Sequence, residues 1–166
     1  KDHPTFLRAA AVLAKERENV RFVCVGGRGE ESYRAELEAL ANELGLQNRL
    51  VWAGVQTNMP AVYNAFDIST TTSAFGEGVP NALGEAMCCE VPTVTTDVGD
   101  AAYLRGDEKW VVPIADVEGI VAKWRTLLAM TPQEREEIGK ASRQRILAEF
   151  TPEQLTQKTE KVYVEL

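Results

Sequence analysis

The chain has one histidine, three cysteines and no apolar run of 18 or more residues. His3 stands alone ahead of a helix, where a capping or surface role is the ordinary one, and no Ser/His/Asp arrangement can be built around it. No set of His, Cys and carboxylates has metal-ligand spacing, so no metal is expected. Cys24 sits in an apolar strand and Cys88-Cys89 follow a helical run; without a disulfide pattern they read as reduced thiols of a cytoplasmic protein. Basic charge is also short. With 18 Lys and Arg against 25 Asp and Glu the net charge is −7, which argues against nucleic acid as a partner but leaves room for a local basic pocket. Nothing spans a membrane as an apolar helix, and no signal peptide, repeat, low-complexity segment or linker is visible. One domain, 1–166, is expected, long enough to bury a core. The absence of an initial methionine reads as a piece of a larger polypeptide.

What the chain does have is one dense stretch, Phe75-Gly-Glu-Gly-Val-Pro-Asn-Ala-Leu-Gly-Glu-Ala-Met87, followed by a strand, Val91-Pro-Thr-Val-Thr-Thr96. Pro80 suits the first turn of a helix, where its missing N–H goes unused. Gly76 and Gly78 precede it and let backbone approach a ligand. The N–H groups of Val79, Asn81 and Ala82, with the helix dipole, would then form an anion site. Glu77 falls in the loop, and Glu85 roughly 7–8 Å along the helix axis. Leu83, Ala86 and Met87 mark the buried stripe. Glu85 points about 160° away from Leu83 or Met87, so it can face a cleft. On spacing alone, two solvated glutamates and a plain helix start fit as well.

The rest of the chain alternates strands and helices. Asp2 is a plausible cap for a helix with the stripe Phe6, Ala9, Ala10, Leu13, Ala14. A strand over 21–25 runs into Gly26-Gly27-Arg28-Gly29, and a helix carrying Leu37, Leu40, Ala41 and Leu44 stops at Gly45. A strand over 50–53 closes at Gly54, and a short helix follows, capped by Asn58. Further strands are expected over 67–72, 92–96 and near Trp110–Val112, then a helix through Ile120, Val121, Trp124, Leu127 and Leu128. Two last helices open with Thr131-Pro-Gln-Glu134 and Thr151-Pro-Glu-Gln154, both capping-box patterns. This is an α/β pattern: a Rossmann-like parallel sheet with helices on both faces. Ligands of such sheets bind beyond the carboxyl ends of the strands, here the loops 26–29, 54–58, 72–79 and 96–100.

The stretch Glu77-Gly-Val-Pro-Asn-Ala-Leu-Gly-Glu85-Ala-Met, with Pro92, Val94 and Thr96 beyond it, resembles the signature of the family 4 ("group 1") retaining glycosyltransferases of GT-B fold. The resemblance extends over nearly the whole chain. It implies the carboxyl-terminal, nucleotide-sugar-binding domain of a two-domain enzyme that passes a glycosyl unit from a nucleoside-diphosphate sugar to an acceptor hydroxyl, with no cofactor beyond that donor. Lys1 would hold the donor diphosphate, where a point charge offsets charge building on the leaving phosphate. Glu77 would sit near the transferred sugar, and the amides of Gly78, Val79, Pro80–Asn81 and Ala82 near the diphosphate. Glu85 would accept from two ribose hydroxyls. Gly26 and Gly27 would line the donor cleft, and Val55 and Gln56 would contact the base. Tyr63 and Phe66 are assigned to the core.

The chain departs from the family at Glu90 and Asp100, where glycine is usual, which suggests an altered turn at Glu90 and altered donor choice at Asp100. It also starts after the strand that lies mid-sheet in this fold, so the sheet is expected to lack that first strand, or to borrow one by strand exchange with another copy. The missing amino-terminal domain would hold the acceptor, and this piece alone should be inactive. Polysaccharide, lipopolysaccharide and glycolipid assembly all fit, in the cytoplasm and, for the full-length enzyme, at the inner membrane face. Other readings stay open: a non-catalytic or truncated binding module of the same fold, or a sugar-nucleotide epimerase. A receiver domain fits poorly, because Asp67 begins its strand rather than ending it.

Overall fold

The computed structural model describes residues 1–27 and 29–164, so Arg28 of the first glycine turn lies outside the described residues. The helix α1 (His3–Glu16) opens on Asp2, whose carboxylate accepts from the Thr5 N–H at 3.3 Å and the Thr5 hydroxyl at 2.6 Å. Leu7, Ala9, Ala10 and Leu13 are buried along it, with Phe6 and Ala14 packed at the margin. Then come β1 (Phe22–Val25), α2 (Glu31–Glu43), β2 (Leu50–Gly54), α3 (Met59–Asn64) and β3 (Ser69–Thr71). The remainder is α4 (Asn81–Cys88), β4 (Thr93–Thr96), α5 (Ala101–Arg105), a 3-10 turn (Glu108–Trp110), β5 (Val111–Val112), α6 (Val117–Ala129), α7 (Pro132–Glu149) and α8 (Pro152–Val164). α7 carries the full capping box between Thr131 and Glu134. At α8 only half of the second box is made: the Gln154 N–H donates to the Thr151 hydroxyl at 3.3 Å.

All strand pairs are parallel, but they form two sheets: β1–β2, and β3–β4–β5 with β4 central. Among the described residues no strand joins β1 to β3, which is the interruption the sequence led us to expect. β4 is buried along its whole length. Val94 faces the core shared by α1, α2 and α6, where Phe6, Phe22 and Trp124 meet edge-on or tilted at 5.6–6.2 Å. On the other side, Leu83 and Met87 of α4 pack with Ala101 and Leu104 of α5 and Ile146 of α7. Burying these apolar side chains contributes on the order of 1.5–3 kcal/mol each and sets how the helices flank the sheets.

Two expectations need correcting, and one helix was not expected. Pro80 is not inside the first turn of α4 but is its N-cap, extended at φ −74°, ψ 107°; its carbonyl accepts from Leu83 and Gly84. The strand expected over 67–72 is only Ser69–Thr71, because Thr72 turns its hydroxyl to the start of α1. The five-residue α5 has no period to read in the sequence, and Gly106 ends it at φ 71°.

Candidate functional site

The amino end of α1 is where the two sheets' loops meet. The Thr72 hydroxyl, just beyond β3, donates to the Lys1 and Asp2 carbonyls at 3.0 and 3.2 Å. Two residues on, His3 Nδ1 lies 3.4 Å from the hydroxyl of Tyr33, near the start of α2. Burial lowers the His3 pKa, and its tie is to Tyr33 rather than to Lys1 or Glu77. This local folding carries Lys1 over the loop after β3, although 76 positions separate it from Glu77.

There Lys1 Nζ pairs with Glu77 Oε1, which also accepts from the Ser73 hydroxyl at 2.6 Å. The Glu77 side chain is only 10% exposed. Lys1 first and Ser73 second hold its carboxyl below the usual carboxylate range. Ser73 is buried, and its carbonyl accepts from the Thr96 hydroxyl at 2.6 Å, which ties the loop to the end of β4. A second tie comes from the turn after β4. The Asp100 N–H donates to the Gly78 carbonyl at 2.9 Å. A Cβ on Gly99, at φ 53°, would stand 2.3 Å from the Glu77 carbonyl oxygen, so this approach requires glycine.

Gly78, Val79, Asn81 and Ala82 are exposed while Pro80 is buried. No side chain caps α4, and the N–H groups of Asn81 and Ala82, in its first turn, have no acceptor within the helix. The start of α4 is therefore an uncapped helix terminus whose first N–H groups stay open, a few residues beyond the Lys1–Glu77 pair in the chain.

Glu85 has a different neighbour. It is exposed on α4 and accepts from the Tyr63 hydroxyl at 3.0 Å. Tyr63 is 5% exposed, and its ring packs with Phe66, Ala86 and Val91. Burial first, and then the Glu85 contact, push the phenol's pKa up, so it remains a neutral donor. Tyr63 was assigned to the core from the sequence; its ring is there, but its hydroxyl positions Glu85. The separation that puts Tyr63 on Glu85, 22 positions, carries no sequence pattern. Glu85, Val79, Pro80 and Asn81 line one end of a groove of about 770 Å3 that continues over Met59, Phe150 and Leu155.

Gly26 and Gly27 are exposed at the end of β1, and the Gly26 N–H donates to the Gly54 carbonyl at 2.9 Å. Val55 and Gln56 are exposed just past β2, with the Gln56 amide turned back on the Ala53 carbonyl at 2.7 Å. These four lie on loops at the carboxyl edge of β1–β2; no described hydrogen bond or ion pair joins them to the Lys1–Glu77 cluster. Among the described residues no group of three His, Cys, Asp or Glu could hold a metal ion. Glu90, one of the two departures from the resembled pattern, takes the glycine-type left-handed conformation at φ 60°. Its turn is held from α7, where Arg143 donates to the Cys88 carbonyl at 2.6 Å.

A family model described as "Glycosyl transferases group 1" matches residues 1–130. The Vi polysaccharide biosynthesis protein VipC/TviE of Salmonella typhi is 26% identical over 136 residues, covering 75% of this chain and 23% of that protein. A glycosyltransferase from Rickettsia africae superposes with a TM-score of 0.88 at 19% identity, over 99% of this chain and 44% of the other. HepE from Anabaena, solved in complex with UDP, superposes with a TM-score of 0.84 at 23% identity, over 97% of this chain and 45% of that one. HepE has also been solved with UDP-glucose. This chain thus spans about a quarter of that curated relative and less than half of either structure.

Proposed function

The chain belongs to the group 1 glycosyl transferases, and on that premise we propose that 1–166 is the donor-binding domain of a retaining, two-domain enzyme that takes a nucleoside-diphosphate sugar. The observation that carries this reading is the Lys1–Glu77–Ser73 cluster set beside the uncapped start of α4. The diphosphate sits at that helix start, facing the Asn81 and Ala82 amides. Lys1, with three donors, keeps Glu77 and also reaches a diphosphate oxygen, offsetting the charge that grows as the bond to the sugar breaks. Glu77, held ionised, accepts from hydroxyls of the transferred sugar. Glu85, oriented by Tyr63, accepts from the ribose. Gly26 and Gly27 allow close approach of the donor, and Val55 and Gln56 border the base. Catalysis here is positioning and charge stabilisation, which needs no metal.

In this reading the acceptor is held by a second domain across a cleft, so the present chain binds donor and does not turn it over. The break between β1 and β3 is the place of the strand that completes the sheet, from the same polypeptide or from another copy. A cytoplasmic setting follows from the donor and accords with the free thiols of Cys24, Cys88 and Cys89; the full-length enzyme would work at the inner membrane face.

Calorimetric titration with UDP, GDP and ADP tests the proposal. Saturable binding of one nucleotide is expected, weakened about 10–100-fold in Glu85→Ala by loss of hydrogen bonds to a charged acceptor. Absence of binding both in this chain and in a polypeptide extended by the acceptor domain overturns it.

A further inference from the structure

At the amino-terminal end of the central strand β4, away from the Glu77 loop, Arg105 closes α5 with 4% of its surface exposed. Its one described hydrogen bond runs from Nε to the Thr93 carbonyl at 3.3 Å, and no carboxylate lies within ion-pair distance of it among the described residues. Its terminal nitrogens have no described partner. Burial lowers its pKa to about 10, which still leaves it charged at neutral pH. The same corner holds a buried polar atom without a partner. Thr93 Oγ1 is a buried side-chain oxygen without a hydrogen-bond partner among the described residues. The Asp107 carboxylate favours the Arg105 charge through space without forming an ion pair, and Arg145 works the other way, which leaves the guanidinium fork open to a partner.

Arg105 lines a groove of about 490 Å3 between α5 and α7, together with Asp107, Lys109, Glu137, Ser142 and Arg145. Most of these groups are already engaged. Arg145 serves the Tyr103 and Leu104 carbonyls and Glu149. Asp107 accepts the Lys109 N–H, and Ser142 donates to the Ile138 carbonyl. Glu134, also on the groove, is held by its Thr131 cap. That leaves the Arg105 fork, the Lys109 ammonium over the Trp110 ring, and Glu137, which has no described hydrogen bond or ion pair. Glycine suits position 106, where φ is 71° and an added Cβ would displace the Arg145 side chain.

We propose that this groove is an oxyanion site, separate from the donor site, in which Arg105 takes the carboxylate or phosphate of a small molecule. The planar fork matches such a group bidentately, Lys109 adds a point charge, and Glu137 opposes the ligand's charge and so limits its affinity.

The test follows the arginine Nε–H signals of the chain by NMR during titration with inorganic phosphate at fixed ionic strength, repeated with acetate. The Arg105 signal is assigned through Arg105→Lys or, should that variant not fold, through its backbone. The Arg105 signal is expected to shift saturably while those of the arginines off the groove stay fixed. Removing a nearby, partly solvated charge should change the half-saturation about threefold to fivefold: tighter in Glu137→Gln and weaker in Lys109→Gln. Saturation by phosphate alone assigns a phosphate ligand, and saturation by both assigns either oxyanion. An Arg105 shift that stays linear with concentration, or that neither substitution alters, overturns the proposal.

Discussion

Glu77 and Glu85 stand eight positions apart in the sequence, yet their surroundings differ in kind. Glu77 is nearly covered and ionised by a lysine brought from the far end of the chain, on a loop pinned at Ser73 and Gly78. Glu85 is exposed, on a helix, and has a neutral phenol as its neighbour. A carboxylate held beside a fixed cation is prepared for charge that develops in a reaction. A carboxylate oriented by a neutral donor, with its other lone pairs open, is prepared for neutral hydroxyls. On the function proposed above, the pair divides into a group for the transferred sugar and a group for the nucleotide, and each half of that division can be broken separately.

The largest effect falls on the Glu77 side. In a polypeptide that carries the acceptor domain, Glu77→Gln should lower the transfer rate by about 100–1000-fold, the scale of losing one preorganised electrostatic group. Nucleotide affinity should change less than threefold, about 0.7 kcal/mol. Steady-state kinetics beside calorimetry reads both, and an equal loss in the two would remove the division of roles.

Gly99→Ala attacks the same half through its support. The added methyl meets the Glu77 and Gly78 carbonyl oxygens at a positive φ, so the loop shifts or stability falls by about 2–4 kcal/mol. Thermal unfolding measures this. If the variant folds, transfer should fall while the Glu85-dependent affinity survives. Tyr63→Phe is the milder test of the other half. It leaves the ring packed and removes one hydrogen bond, worth about 1 kcal/mol, so nucleotide should bind about threefold to tenfold more weakly while the melting temperature falls by no more than about 4 °C.

What the sequence made legible follows from range. The helix stripes, Asp2, Asn58 and Thr131 as caps, Gly45 as a stop and the parallel α/β order are written within a few residues, and the structure has them. The break in the sheet was expected through the resemblance, from the strand order it implies. The resemblance brought Lys1 and Glu77 into one site, but their ion pair was not legible, since no local rule links positions 76 apart. Tyr63 on Glu85 and the buried Arg105 were not legible. A tyrosine in a short helix reads as core, and an arginine reads as surface, until tertiary packing decides otherwise. α5 was missed because five residues hold too little of a helical period to detect.

The smallest effect asks whether charge rather than shape holds Glu77. Lys1 holds its folded pKa below the ordinary value of 4.5. A depressed carboxylate stabilises the fold above its unfolded pKa, and that contribution is lost as pH falls through the folded value. Glu77→Gln lacks the contribution at every pH. The melting temperatures of the two proteins should therefore differ by a constant amount from about pH 5.5 to 7 and converge below about pH 4.5. Because Lys1 is largely exposed, the difference should be at most about 3 °C. Glu16, Glu134 and Glu153 are also depressed and lose their contributions in acid, but they do so equally in both proteins and cancel in the difference. A difference that persists unchanged to pH 3 would mean that Glu77 is held by shape rather than by charge, and the contrast with Glu85 would then have to rest on burial alone.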